Sequence, residues 1–87
     1  MARIKSYPLP LHIKYKLFRY YQFIGEYSKA EDILFELADS KYPDIILEGK
    51  NFFQRLSQKS DVELSAGNLP REELIIGIDD LNKKSIM

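Results

Sequence analysis

Apolar residues recur along this chain at intervals of three and four, the spacing of amphipathic helices, and no stretch alternates with a period of two between turn signals. The first segment, about Pro10 to Ile24, places Ile13, Leu17, Tyr20, Tyr21 and Ile24 on one stripe. Leu11 and Phe18 widen that stripe, and His12, Lys16, Arg19 and Gln22 line another side. The second, about Lys29 to Ser40, turns Ala30, Ile33, Leu34 and Leu37 inward with Phe35 and Ala38 beside them. The third runs from a first-turn Pro43 to about Gln58 and aligns Ile45, Ile46, Gly49, Phe52, Phe53 and Leu56. Gly49 lowers helix propensity by up to ~1 kcal/mol there, which a close helix crossing would justify; a loop is the competing reading. A short fourth helix or single turn carries Leu64, and a fifth, about Pro70 to Lys83, buries Leu74, Ile75, Ile78 and Leu81.

Punctuation agrees with these segments. Gly25 stands where a left-handed residue closes a helix, a conformation glycine adopts without steric cost. Ser28 precedes Glu31 by three positions, the spacing of a reciprocal cap between hydroxyl and carboxylate, and Ser60 precedes Glu63 in the same way. Gly67 ends the fourth segment, and Glu72 and Glu73 open the fifth, which Lys83 and Lys84 close. A connection of three or four residues between the first two helices forces them into an antiparallel hairpin. The expected fold is therefore an all-α bundle of four or five short helices in one domain spanning 1–87, built on that hairpin. Pro8 and Pro10 disfavour helix before them, so residues 1–8 are expected to be extended or mobile.

Composition sets the scale. A chain of 87 residues buries roughly 60 to 65% of its unfolded surface, enough for one core with little surplus. With 45% apolar and 30% charged residues it reads as globular. The absence of cysteine excludes disulfides and thiolate metal sites. Leu74 to Ile78 is the longest apolar run, far short of the ~20 residues of a membrane helix, and the amino terminus lacks the apolar core of a secretory signal. A soluble cytoplasmic protein is expected.

Net charge is zero but unevenly spread. Arg3, Lys5, Lys14, Lys16 and Arg19 stand without an acid in residues 1–24, whereas residues 25–48 carry two lysines against seven acids. Attraction between the two hairpin arms explains this pattern; a basic surface for nucleic acid or anionic membrane is the other reading.

Catalytic patterns are missing. His12 is the only histidine and has no carboxylate at metal-ligand spacing. The adjacent pairs Glu72-Glu73 and Asp79-Asp80 diverge by ~100° on a helix and do not converge on one ion. Ser28 and Ser60 serve as caps with no base beside them, and the scattered glycines form no phosphate loop. A helix-turn-helix over Ser60 to Leu81 would present Glu72, Glu73, Asp79 and Asp80 to phosphates, the wrong sign. These observations lead us to expect no enzyme, no cofactor, no metal and no small-molecule substrate.

From Leu11 to Tyr42, Leu17, Tyr21, the Gly25-Glu26-Tyr27 turn, Ala30, Leu34 and Leu37 resemble a single tetratricopeptide-type helical hairpin. Lys14 stands where that family has a large aromatic, Phe18 where it has a small residue, and Pro43 falls one residue late. One copy does not make a solenoid, so the resemblance implies hairpin geometry. A second resemblance rests on three blocks, Ala30 to Glu36, Phe52 to Leu56 with Ser60 to Leu64, and Pro70 to Leu74 with Gly77. These are similar to a family of small helical bacterial proteins of unknown function, which implies helices and a bacterial cytoplasmic setting and lends no site.

The functional expectation follows from the first helix. Tyr15, Phe18, Tyr20, Tyr21 and Phe23 fall within nine residues, more aromatic surface than one stripe hides. His12, Tyr15, Arg19 and Gln22 hold the positions that, by the tetratricopeptide resemblance, face a bound peptide. We therefore expect a protein-interaction or structural module, binding a protein partner or a second copy through those four residues. The alternative is nucleic-acid binding through the basic, aromatic first helix.

Overall fold

The computed structural model describes residues 9–86; the expectation for residues 1–8 lies outside them. The helices are α1 (Leu11–Ile24), α2 (Tyr27–Asp39), α3 (Ile45–Ser57), α4 (Asp61–Ala66) and α5 (Arg71–Ile86), with no strand among the described residues. α1 and α2 form the most extensive helix pair and α3 with α5 the next. Their pairing is antiparallel: Lys14 reaches Glu36 at 2.9 Å while Tyr21, farther along α1, meets Lys29 near the start of α2. That ion pair is one direct contact between the basic and acidic arms.

Local chemistry ends α1, α2 and α4 in one recurring way. At the end of α1, Gly25 takes φ 83° and the Glu26 amide donates to the Tyr21 carbonyl at 2.9 Å. Lys41 and Asn68, also left-handed, close α2 and α4 through Tyr42 to Leu37 and Leu69 to Leu64. Gly67 ends α4 as expected but without a left-handed backbone, its φ being −89°. It is small because its Cα faces the turn of the hairpin. An added Cβ would run into the Tyr27 ring and come within 2.6 Å of the Gly25 carbonyl.

The Ser28–Glu31 cap is not formed. α2 starts at Tyr27 without a side-chain cap, and the Ser28 amide donates instead to the Gly67 carbonyl at 3.0 Å. With that orphan amide satisfied by the residue that follows α4, Glu31 is released to face α5. Pro43 is likewise not in the first turn of α3. It precedes Asp44, whose φ is 61°, in a turn closed by the Ile45 amide on the Tyr42 carbonyl, the arrangement of a type II turn. The Ser60–Glu63 box forms as expected: the Glu63 amide donates to Ser60 Oγ at 3.2 Å and the Ser60 amide to the Glu63 carboxylate at 3.1 Å.

The core joins all five helices through Phe18, Leu34, Leu37, Phe52, Leu64, Leu69, Leu74 and Leu81. Gly49 lies at a close crossing, its Cα facing the δ-methyls of Leu34 and Leu81. The inward residues of α2 and α3 are those expected. In α1 the stripe is rotated: Phe18 is its fully buried centre, Leu11, Tyr15 and Tyr21 flank it, and Tyr20 and Ile24 are exposed. In α5, Gly77 takes the inward place expected of Ile75, which is exposed.

Candidate functional site

α1 meets α3 through side chains, and three of its four predicted binding residues, Tyr15, Arg19 and Gln22, lie at or beside that meeting. The Tyr15 hydroxyl donates to Glu48 Oε2 at 3.0 Å, and its ring stacks on Tyr42 with centroids 5.4 Å apart. Arg55 donates from Nη2 to Gln22 Oε1 at 2.6 Å. The Arg19 guanidinium lies 6.0 Å from the Tyr15 ring centroid and is otherwise exposed. Between the two helices is a notch of about 360 Å³ lined by Arg19, Gln22, Phe23, Glu48 and Arg55. The structure thus brings Arg19 and Gln22 to one site and sets Tyr15 behind it through Glu48. His12 is exposed and does not line that notch.

Phe23, Glu48 and Arg55 were not singled out as binding residues. Phe23 left a trace in the sequence, as one of the aromatics in excess of the stripe. The other two are ordinary charged positions of α3, and only packing shows that they face α1. Chemically the notch sets two guanidiniums against one carboxylate already engaged by a phenol, with an apolar ring at its rim.

A family model described as a family of unknown function (DUF6483) matches residues 3–85. The chain belongs to that family. No curated protein and no solved structure matches it. The DUF6483 assignment bears out the resemblance to a helical family without assigned activity, and it brings no site residue with it.

Two carboxyl groups in this DUF6483 domain are displaced from their ordinary range. Glu63 is held below it by the Ser60 amide and then the Ser60 hydroxyl, both donating to its carboxylate. Glu31 is pushed from 4.5 up to about 7, first by burial and then by the negative charges of Asp32, Glu73 and Asp80. It lines a second notch, about 220 Å³, with Phe35, Glu73, Ile76, Gly77 and Asp80. Among the described residues no group of three His, Cys, Asp or Glu side chains is placed to hold a metal ion, and no helix is long and apolar enough to cross a membrane.

Proposed function

We propose that this DUF6483 domain is a non-enzymatic protein-interaction module that docks its partner on the outer face of α1 and the rim of the α1–α3 notch. Phe23 carries the reading. It is 88% exposed, with Tyr20 54% and Ile24 46% exposed beside it. A phenyl ring so placed adds little to the stability of the monomer, whereas covering it with a partner is worth ~1.5–3 kcal/mol. Aromatic and arginine side chains together are what binding hot spots are made of. Arg19 and Arg55 give the notch a net positive charge, so the fitting partner segment offers an acidic side chain next to an apolar one.

By the tetratricopeptide resemblance a peptide would lie on Tyr15 and Gln22, but both are engaged by α3. Accordingly the docking surface shifts around α1 to Arg19, Tyr20 and Phe23, with His12 on the same side. A bacterial cytoplasmic setting remains part of this reading.

The test is capture of partners by wild type and by Phe23→Ala and Arg19→Ala variants, with sedimentation of each purified protein. Loss of one specific partner, or of a dimer, in both variants but not in a Glu72→Ala control supports the module. Identical captured proteins and identical mass from folded variants refute it. One observation favours nucleic acid as the second reading: α1 carries no acid, and Lys16 and Arg19 are exposed beside Tyr20 and Phe23. Retention on single-stranded DNA or RNA that falls steeply with salt would favour it, and no retention at low salt ends it.

A further inference from the structure

α2 and α5 meet through a carboxyl group. The Glu31 side chain abuts Gly77 so closely that an added Cβ there would collide with Oε2, and Phe53 of α3 closes the seam 3.0 Å from the same point. Oε2 is shut off from solvent and has no hydrogen-bond partner among the described residues. The charges facing it are all negative: Asp32 on α2, and Glu73 and Asp80 on α5, one turn to either side of Gly77. α3 contributes the uncharged Phe53. Lys84, farther along α5, is already held by Asp39 at 2.6 Å and lies over Phe35.

We infer that Glu31 is a pH-operated catch between α2 and α5, seating α5 firmly when it carries a proton and loosening it when ionised. An ionised carboxylate without a donor, pressed into an apolar seam among three like charges, is strongly disfavoured, and the neutral acid is not. Gly77 makes the catch possible because any side chain there would exclude the carboxyl group. What loosening uncovers is the apolar seat of α5, where Ile78 and Leu81 share a cleft with Phe53 of α3 and Leu74 belongs to the same core.

The direction of the effect follows from linkage. The folded-state pKa, about 7, lies above the ordinary 4.5, so this group's stabilisation is complete below about 4.5 and is lost as pH rises through about 7. The unattenuated shift corresponds to about 300-fold in the opening equilibrium. With the folded midpoint at about 7, only about tenfold of that change falls between pH 6 and pH 8, and solvent screening at a half-buried side chain makes tenfold the upper bound.

The experiment is amide hydrogen exchange at pH 6 and pH 8, corrected for intrinsic rates, on wild type and Glu31→Gln. In wild type the α5 amides from Ile75 to Leu81 should open several-fold and at most about tenfold more at pH 8 while those of α1 change little. In Glu31→Gln, which keeps the size of the side chain, the α5 difference should vanish. Equal α5 opening at both pH values, or the same pH response in Glu31→Gln, overturns the inference. Direct NMR titration of the Glu31 carboxyl decides the matter should the variant not fold. A midpoint near 7 sustains the catch, and one near 4.5 overturns it.

Discussion

Truncating Phe18 should do more damage than any other single change in α1. It is the one fully buried residue of that helix among those described, with no solvent exposure. Its ring meets Phe52 of α3 edge-on, with centroids 5.3 Å apart and planes at 66°. Phe18→Ala removes that surface and leaves a cavity in a closed core, a loss of ~3–5 kcal/mol. The aromatic pair accounts for ~0.5–1.5 kcal/mol of it. An 87-residue domain has a total stability of ~4–13 kcal/mol, so the variant stands near the limit of folding. Urea unfolding followed by far-ultraviolet circular dichroism measures the change. With a slope of ~1 kcal/mol per molar, the midpoint should fall by ~3–5 M, or the protein should be unfolded already in buffer. Phe18→Leu, which retains most of the volume, should remain folded and lose ~1–1.5 kcal/mol. Phe23→Ala, a change of the same chemistry on the exposed side, should stay within ~0.5 kcal/mol of wild type. A Phe18→Ala midpoint within ~0.5 M of wild type, or an equal fall in Phe23→Ala, would refute the placement of α1.

Ser60→Ala should lose ~1 kcal/mol, since its hydroxyl accepts from the Glu63 amide, whereas Ser28→Ala should change stability by less than ~0.5 kcal/mol; equal losses in thermal melts would mean that both caps form. Gly67→Ala should cost ~1–3 kcal/mol for purely steric reasons, because its backbone suits alanine and the Tyr27 ring and Gly25 carbonyl do not yield. Gly25→Ala should cost ~1–2 kcal/mol for the opposite reason, its Cβ meeting nothing while its φ is left-handed; a neutral result at either glycine in chemical denaturation would contradict that assignment.

How far the sequence could be read depended on how far the deciding interaction lay along the chain. The stop at Gly25 and the Ser60–Glu63 box involve partners within five residues, and both are as expected. The inward residues of α2 and α3 form narrow stripes with one possible centre. α1 has apolar or aromatic groups on nearly every side, so periodicity alone has no sharp maximum. Packing on Phe52 then chose Phe18 as the centre and sent Tyr20 outward. Glu31 shows the same limit from the opposite side. The local capping rule was sound, but the Gly67 carbonyl met the amide the rule was meant to satisfy.

By itself the sequence determined four or five helical segments, the closure of α1 at Gly25 and an antiparallel first pair, because these rest on hydrogen bonds and side-chain spacing within a turn or two. Only the tertiary structure decided which face of α1 is covered, that Tyr15 and Gln22 are held by α3 residues 33 positions away, and that Glu31 faces acids of α5. The reason is physical: hydrophobic attraction has no direction, so a helix with several apolar sides is oriented by the shape of what it meets. A carboxyl group, in turn, is displaced from its ordinary range by whichever charges the fold brings near it.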